Sequence, residues 1–319
     1  MNVLVFGLGA LGHVFAAFLQ RAGHRVVGIG RPKVVEVVRQ QGIAVTGIWG
    51  EFQIKLTGVY ESVDKINAEN FDLILLTVKS YDTQTAVEAL RPIVGEKTIL
   101  VCAQNGYGNY ETAAQILGDE HVVLARVIFG AELLASGQVK VTVCADDMKI
   151  GSPKGVIPRT RLEEIAGCLS DAGIRTQVTE KIISYLWDKI LYNCALNPLG
   201  AILEVPYGVL GDIPALRAIM DEIVKEIFTV AKVHQVPLFW NTPEDYLNHF
   251  YSRLLPPTRN HHPSMLQDIR RGKRTEIDAL NGAIVSLGKK AGVDTPVNET
   301  ITRLIKAKEQ LCKQKKNWS

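Results

Sequence analysis

The stretch Val3-Leu4-Val5-Phe6-Gly7-Leu8-Gly9-Ala10-Leu11-Gly12 decides the fold of the first half of this chain. An apolar run of strand length leads directly into glycines spaced as Gly-x-Gly-x-x-Gly, and apolar residues at helical spacing follow. A dinucleotide site needs this order, because the N-terminus of the helix offers unpaired N–H groups to a pyrophosphate. We therefore expect Gly7, Leu8, Gly9, Ala10, Leu11 and Gly12 to bind a dinucleotide, with a purely structural turn as the alternative.

The end of the second strand indicates which dinucleotide is bound. A carboxylate at this position would accept the ribose hydroxyls of NAD, but the strand Arg25 to Ile29 ends in Gly30-Arg31-Pro32-Lys33. The guanidinium of Arg31 can pair with a 2′-phosphate. The sequence therefore favours NADP(H) over NAD(H), and a surface arginine without a ligand is the alternative.

Two later strands also end in polar residues. Lys79 follows the apolar run from Phe71 to Val78, and Asn105 follows the run from Thr98 to Cys102. Doubly wound sheets bind ligands at the carboxyl ends of their strands, so Lys79 and Asn105 are candidate contacts of the cofactor or the substrate. The alternatives are a solvated lysine and an asparagine that only makes a turn.

After about residue 180 the alternation of strands and helices gives way to helices alone. We predict an α/β N-terminal Rossmann-like doubly wound sheet in residues 1–180, which binds NADP, and an all-α C-terminal domain in residues 181–319. A hairpin or an extended excursion is expected from Ile43 to Leu56. In the helical part, Ser264 is expected to cap one long helix that runs through Leu287.

The stretch from Trp187 to Pro198 carries polar groups at helical spacing in largely apolar surroundings. Lys189, Asn193 and Asn197 stand at i, i+4 and i+8, which places one amine and two amides on a single helix face. An inward polar stripe that includes a lysine is typical of a site. A solvated helix face has the same spacing, and the spacing alone leaves both interpretations open.

Composition excludes several classes of protein. With 47% hydrophobic and 22% charged residues among 319, the chain has the makeup of a folded globular protein, and a net charge of +3 is too small to imply nucleic acid as a partner. The apolar runs are too short to cross a membrane, and we expect no signal peptide and a cytoplasmic location. The five cysteines lack Cys-x-x-Cys spacing, so we expect no metal site. A homodimer is favoured only slightly over a monomer.

Together these motifs resemble those of the ketopantoate reductases (2-dehydropantoate 2-reductases) over nearly the whole chain. The motifs that carry the resemblance are Gly7-x-Gly9-x-x-Gly12, Lys79, Gln104-Asn105-Gly106-x-Gly108, Trp187-x-Lys189, Asn193, Asn197-Pro198, Ser264-Met-Leu-Gln-Asp268 and Thr275-Glu276-Ile-Asp278.

The resemblance implies NADPH-dependent reduction of 2-dehydropantoate to (R)-pantoate, a step of pantothenate and coenzyme A biosynthesis. It implies that Lys189 is the catalytic general acid and that Glu276 acts beside it. It further implies that the substrate is held by Asn193, Asn197 and Ser264, and that Arg31 binds the 2′-phosphate. From spacing alone, Glu276 would be an ordinary exposed helix acid.

One segment departs from the family pattern. The family often has an asparagine at position 261 and a serine at position 263, where this chain has His261 and Pro263. A reductase of a different 2-oxo acid is therefore an alternative. A non-catalytic NADP(H)-sensing protein is another, although such a protein would have no use for an aligned Lys189, Asn193 and Asn197.

Overall fold

Parallel strands alternate with helices through the first half of the chain, as the sequence predicts. The computed structural model describes residues 1–66 and 70–315. The strands are β1 (Asn2–Phe6), β2 (Arg25–Ile29), β3 (Ile43–Gly47), β4 (Phe52–Ile54), β5 (Gly58–Tyr60), β6 (Leu73–Leu76), β7 (Ile99–Cys102), β8 (Val122–Arg126), β9 (Phe129–Ala135), β10 (Gln138–Cys144), β11 (Met148–Gly151) and β12 (Thr176–Val178). The helices between them are α1 (Ala10–Arg21), α2 (Pro32–Gln41), α3 (Thr83–Leu90), α4 (Asn109–Leu117) and α5 (Arg159–Asp171).

The main sheet has the order β12-β11-β8-β7-β6-β1-β2-β5. Neighbouring strands are parallel except for β11 and β8, which are antiparallel, so β11 and β12 run opposite to the other six strands. From β1 the chain passes first to β2 on one side and later to β6 on the other, so the strand order reverses between β1 and β6. Ligands of doubly wound sheets bind at such a reversal, outside the carboxyl ends of the strands.

A second sheet, in the order β4-β3-β10-β9, packs on α1. Residues 12–19 of α1 are all buried, because this helix contacts strands of both sheets. Phe18 packs edge-on against Trp49 and Phe52, and Phe15 packs in the same way against Phe129. The predicted hairpin in residues 43–56 is present as the antiparallel pair β3 and β4.

Helices alone make up the remainder of the described chain. The α-helices are α6 (Ile182–Leu203), α7 (Tyr207–Asp212), α8 (Pro214–Val233), α9 (Pro243–His249), α10 (Ser264–Arg270), α11 (Asn281–Ala291) and α12 (Pro296–Lys315). A π-helix (Phe250–Leu254) and two short 3₁₀ helices (Pro256–Thr258 and Ile277–Ala279) lie between them. The predicted fold class is thus confirmed. The contacts divide the chain into one unit from Met1 to Ile182 and another that begins at Ile183. The roles assigned to residues 1–180 and 181–319 stay predictions.

The prediction of one helix from Ser264 to Leu287 is wrong. The helix α10 ends at Arg270, because Gly272 adopts a left-handed conformation with φ 65° and the N–H of Lys273 turns back to the carbonyl of Asp268. The predicted capping role is also wrong. Pro263 occupies the cap position with an extended backbone, no side-chain hydrogen bond caps α10, and Ser264 is its first helical residue.

Candidate functional site

The glycine loop, residues 7–12, joins the carboxyl end of β1 to the first turn of α1. A side chain at position 12 has no room, because its Cβ atom would clash with the carbonyl oxygen of Gly7 and lie 2.9 Å from Thr77 Oγ1. Thr77 Oγ1 donates a hydrogen bond to Gly7 O over 2.7 Å. The residue that follows β6 therefore holds the loop close to the helix.

Position 9 differs from position 12, because the space beside it is open. Apart from its two chain neighbours, a Cβ atom on Gly9 would have no atom of residues 1–66 or 70–315 within 4 Å, and no side chain in these residues caps α1. The first N–H groups of a helix have no partner within the helix itself. An open, uncapped helix start of this kind fits a pyrophosphate group.

His13 holds the Gly9 carbonyl from the buried side of the loop. The Nδ1 atom of His13 lies 2.7 Å from Gly9 O, and Nε2 lies 3.2 Å from the backbone nitrogen of Gly137. A carbonyl only accepts and a peptide N–H only donates, so the ring is neutral with its proton on Nδ1. Burial lowers the pKa of His13, against a smaller opposing effect of the hydrogen bond to Gly9, and this agrees with a neutral ring.

Arg31 follows β2, on one side of β1, and Lys79 and Asn105 follow β6 and β7 on the other side. These strands are parallel to β1, so the three residues lie at the same edge of the sheet as the glycine loop. Arg31 is exposed, while Lys79 and Asn105 are half-buried. The sheet brings together the residues that the sequence assigns to the cofactor, and their contacts with it stay a prediction.

A buried polar network behind Asn105 was not found by sequence reasoning. Asn109 Nδ2 donates to the carbonyls of Asn105 and Gly106 over 3.0 and 3.3 Å. Asn109 Oδ1 accepts from Thr83 Oγ1 over 2.8 Å, which ties the turn after β7 to the start of α3. Asn109 opens α4 directly after Gly108. An asparagine in a glycine-rich turn was the available signal.

Lys189, Asn193 and Asn197 all lie in α6, and we call them the polar face of α6. Asn193 is 8% exposed and Asn197 is 7% exposed, although amides normally favour solvent, and Lys189 is half-buried. The alternative of a solvated helix face is therefore wrong for the two amides. Buried amides must satisfy their hydrogen bonds within the protein or with a ligand.

Tyr207 is a partner that the sequence did not indicate. Its hydroxyl donates a hydrogen bond to Asn197 Oδ1, and burial raises its pKa well above the ordinary value of tyrosine, so it remains a donor. The ring of Tyr207 lies 5.3 Å from that of His261, and Tyr207 N donates to His261 O over 3.1 Å. His261, which departs from the family pattern, is therefore linked to Asn197 through Tyr207.

The remaining residues that the sequence assigns to the site lie just before α10, in α10, or between α10 and α11. Pro263 packs close to Gly200 of α6, where an added Cβ atom would lie 3.1 Å from Pro263 Cγ. Ser264, next to Pro263, is exposed. Glu276 is only 8% exposed and precedes a short 3₁₀ turn from Ile277 to Ala279. The view of Glu276 as an exposed helix acid is wrong.

The fold and the glycine loop together define a class of protein. A doubly wound parallel sheet with Gly-x-Gly-x-x-Gly after its first strand is typical of dinucleotide-dependent oxidoreductases. Two family models match the chain, "Ketopantoate reductase PanE/ApbA" over residues 3–155 and "Ketopantoate reductase PanE/ApbA C terminal" over residues 181–309. The chain belongs to the ketopantoate reductase family, which confirms the resemblance.

Individual relatives agree with this assignment. The 2-dehydropantoate 2-reductase of Aquifex aeolicus (strain VF5) is 46% identical over 311 residues, which cover 97% of each chain. A PanE/ApbA family ketopantoate reductase from Ralstonia eutropha JMP134 is 29% identical, with a TM-score of 0.86 over 98% of this chain and 100% of that one. D-mandelate dehydrogenase, solved with NADH and anilino(oxo)acetate, is 27% identical, with a TM-score of 0.88 and coverage of 98% and 100%.

Proposed function

We propose that this protein reduces 2-dehydropantoate to (R)-pantoate with NADPH. The observation that carries the proposal is the polar face of α6, on which Asn193 and Asn197 are buried beside Lys189 in a chain of the ketopantoate reductase family. The relative from Aquifex aeolicus supports the choice of substrate, because it bears the name of this activity at 46% identity.

The residues of the first unit fit NADP(H). The open start of α1 beside Gly9 suits the pyrophosphate, and Arg31 is an exposed cation after β2, where a 2′-phosphate is bound in sheets of this type. Lys79 and Asn105 follow neighbouring strands at the same edge and would contact the rest of the cofactor. When bound, NADPH supplies the hydride.

The second unit supplies the proton and holds the substrate. Reduction of a ketone builds negative charge on its oxygen, and the Lys189 ammonium can stabilise this charge and donate the proton. Asn193 and Asn197 would hydrogen-bond the carbonyl or hydroxyl groups, and the Ser264 hydroxyl would hold the carboxylate. Glu276 would orient the Lys189 amine or accept a bond from the substrate hydroxyl.

A second candidate is the reduction of a different 2-oxo acid. His261 and Pro263 replace residues that are common in the family, and they pack on Tyr207 and next to Gly200, close to Asn197 along α6. D-mandelate dehydrogenase shares the fold over 98% of this chain and was solved with NADH and anilino(oxo)acetate.

The test is NADPH oxidation with purified protein across a panel of 2-oxo acids that includes 2-dehydropantoate and phenylglyoxylate. We expect 2-dehydropantoate to be preferred, and Lys189→Ala to lower kcat by about 10²- to 10⁴-fold, the usual contribution of a general acid. Lys232→Ala, at an exposed lysine of α8, is the matched control and should leave kcat unchanged.

Each alternative has its own outcome in this experiment. A preference for phenylglyoxylate or another acid would contradict the proposed substrate and support the assignment as a 2-oxo acid reductase. Undiminished activity of Lys189→Ala would remove Lys189 as the acid. A protein that binds NADPH but turns over none of the 2-oxo acids would be the non-catalytic NADP(H)-sensing protein.

Location and assembly complete the proposal. No helix in residues 1–66 and 70–315 combines the length and the apolar character needed to span a membrane. We place the enzyme in the cytoplasm and propose a homodimer, which is supported by the exposed Leu304 and Leu311 on one face of α12. Light scattering of the purified protein would measure the mass and decide between monomer and dimer.

A further inference from the structure

The helix α6 contains a proline in its interior, one residue after Asn197. In an α-helix the N–H of each residue donates to the carbonyl four residues earlier, and proline has no N–H. The carbonyl of Cys194 therefore loses its helical donor at Pro198. Cys194 is fully buried, so water cannot replace the missing hydrogen bond without a cost.

Asn281 supplies the missing donor from another helix. Its Nδ2 atom lies 3.1 Å from the carbonyl oxygen of Cys194, although the two residues are 87 positions apart in the chain. Asn281 is the first residue of α11 and is 0% exposed. The side-chain amide thus stands in for a backbone N–H inside α6.

A chain of hydrogen bonds fixes the orientation of this amide. The Glu226 carboxylate accepts from the backbone N–H groups of Val297 and Asn298, over 2.8 and 2.9 Å, and from Asn298 Nδ2 over 2.7 Å. Asn298 Oδ1 therefore faces Asn281 and accepts from its Nδ2 atom over 2.9 Å. Because both neighbours of this atom are acceptors, it must be the nitrogen.

The other end of the Asn281 side chain is unsatisfied. Within the described part of the chain, Asn281 Oδ1 is buried without a hydrogen-bond partner. An unpaired buried oxygen is costly and requires an explanation. The hydrogen bond that Asn281 Nδ2 donates to the Cys194 carbonyl provides this explanation.

We propose that Asn281 is a positioning residue for the polar face of α6. The Cys194 carbonyl lies between Asn193 and Asn197 in the sequence, so the bond from Asn281 fixes the turn of α6 that presents both amides. This role rests on the proposed function of Asn193 and Asn197 in holding a 2-oxo acid. It assigns to Asn281 an effect on substrate binding without contact with the substrate.

The proline permits a sharp test, because Pro198→Ala restores the N–H that Asn281 replaces. We would compare wild type, Asn281→Leu, Pro198→Ala and the double variant, since leucine has nearly the shape of asparagine without its donor. Asn281→Leu should raise KM for 2-dehydropantoate about tenfold, which corresponds to about 1.4 kcal/mol, and should leave KM for NADPH unchanged. In the Pro198→Ala background the same change should alter KM by less than about twofold, because the backbone N–H then satisfies Cys194.

Thr302→Val is the matched control, because it removes a buried hydroxyl of α12 that donates to Asn298 O over 2.8 Å and has no hydrogen bond to Asn281 or Cys194. Its effect should be the same in the wild-type and Pro198→Ala backgrounds. An equal effect of Asn281→Leu in both backgrounds would overturn the proposal, as would lower stability with unchanged KM. If Asn281→Leu alone does not fold, a folded and active double variant supports the proposal, and a double variant that also fails refutes it.

The cycle is also measured by urea unfolding. There we expect Asn281→Leu to lower the ratio of folded to unfolded protein by about 10- to 100-fold, as for an unpaired buried carbonyl, and the Pro198→Ala background to reduce this loss. Absence of turnover by the wild type would therefore count against the proposed function alone, because the coupling to Pro198 remains measurable.

Discussion

The carbonyl oxygen of Gly7 occupies the position that a Cβ atom of residue 12 would need, so the first and last glycines of the loop touch through their backbones. Gly12→Ala should therefore destabilise the first unit by about 1–3 kcal/mol, the usual cost of overpacking. Gly9→Ala is the matched variant, because its Cβ atom would meet no described atom within 4 Å other than those of its chain neighbours. It should change stability by less than about 0.5 kcal/mol.

The same pair separates folding from cofactor binding. Gly9→Ala should raise the Kd for NADPH about tenfold or more, equivalent to at least about 1.4 kcal/mol, because a methyl group would stand where the pyrophosphate approaches. Urea unfolding and NADPH fluorescence titration measure the two effects. Unchanged NADPH affinity in Gly9→Ala would show that the phosphates bind elsewhere.

His13 offers two substitutions that each keep one of its hydrogen bonds. The amide of asparagine lies near the position of Nδ1 and can still donate to Gly9 O, whereas the amide of glutamine reaches the position of Nε2 and can still accept from Gly137 N–H. Losing one neutral hydrogen bond costs about 1 kcal/mol, so both variants should lose stability. Only His13→Gln should weaken NADPH binding, by about fivefold, because it removes the side-chain hydrogen bond to the Gly9 carbonyl, which then accepts only from the backbone N–H of residue 13. Equal NADPH affinity in the two variants would contradict this.

The lowered pKa of His13 gives a pH dependence with a definite sign. Just below pH 6.5 the unfolded chain binds a proton at this histidine and the folded protein does not, so stability falls as the pH falls. The loss begins near pH 6.5 and levels off below the lowered folded-state pKa. Urea midpoints of wild type and His13→Gln should converge across this window, and a constant difference would show that His13 does not titrate there.

The NADP(H) preference rests on Arg31, and the fold cannot decide it, because D-mandelate dehydrogenase shares the fold and was solved with NADH. Arg31→Ala should raise KM for NADPH by about 10- to 100-fold, the loss expected for hydrogen bonds to a charged group. KM for NADH should not change. Lys33→Ala removes a second exposed cation two residues away and should have a small effect on either cofactor. Equal efficiency of the wild type with NADPH and NADH would remove Arg31 from this role.

Local patterns predicted the parts of the site that lie within one element or its ends. The glycine loop and the polar face of α6 depend on spacings of a few residues, so the sequence shows them directly. Several of the hydrogen bonds that support them join residues far apart in the chain. His13 meets Gly137 across 124 residues and Asn281 meets Cys194 across 87, and no local period indicates such pairs.

The error at α10 has the same physical origin. Apolar spacing continues from Ser264 to Leu287, but the left-handed turn at Gly272 interrupts the helix, and the buried Thr275 and Glu276 follow in irregular backbone. Helical periodicity reports which residues are buried on one face, and a short break leaves that pattern nearly intact. The two halves therefore looked like one helix.

The role of Tyr207 can be tested by comparison with a tyrosine in a similar environment. Tyr207→Phe removes the donor to Asn197 Oδ1 and should raise KM for the 2-oxo acid about fivefold, as for one lost hydrogen bond. Tyr192→Phe is the matched control, because the Tyr192 hydroxyl pairs with Thr258 Oγ1 over 2.7 Å and not with the polar face of α6. Both variants should lose stability, and only the first should change KM. A change of KM in both would point to a general effect of loosened packing.

His261 is the residue through which this chain can differ from its family in substrate choice. Its ring packs on Tyr207, whose hydroxyl holds Asn197, so a smaller side chain at position 261 would let the Tyr207 ring and its hydrogen bond shift. His261→Asn introduces the residue that the family often has there. We expect it to raise the ratio of kcat/KM for 2-dehydropantoate over phenylglyoxylate by about 3- to 10-fold, because differences of about 1 kcal/mol in pocket contacts change such ratios by this amount. His262→Asn, at the adjacent exposed histidine, should leave the ratio unchanged. If both substitutions leave it unchanged, the departure at position 261 has no part in this specificity.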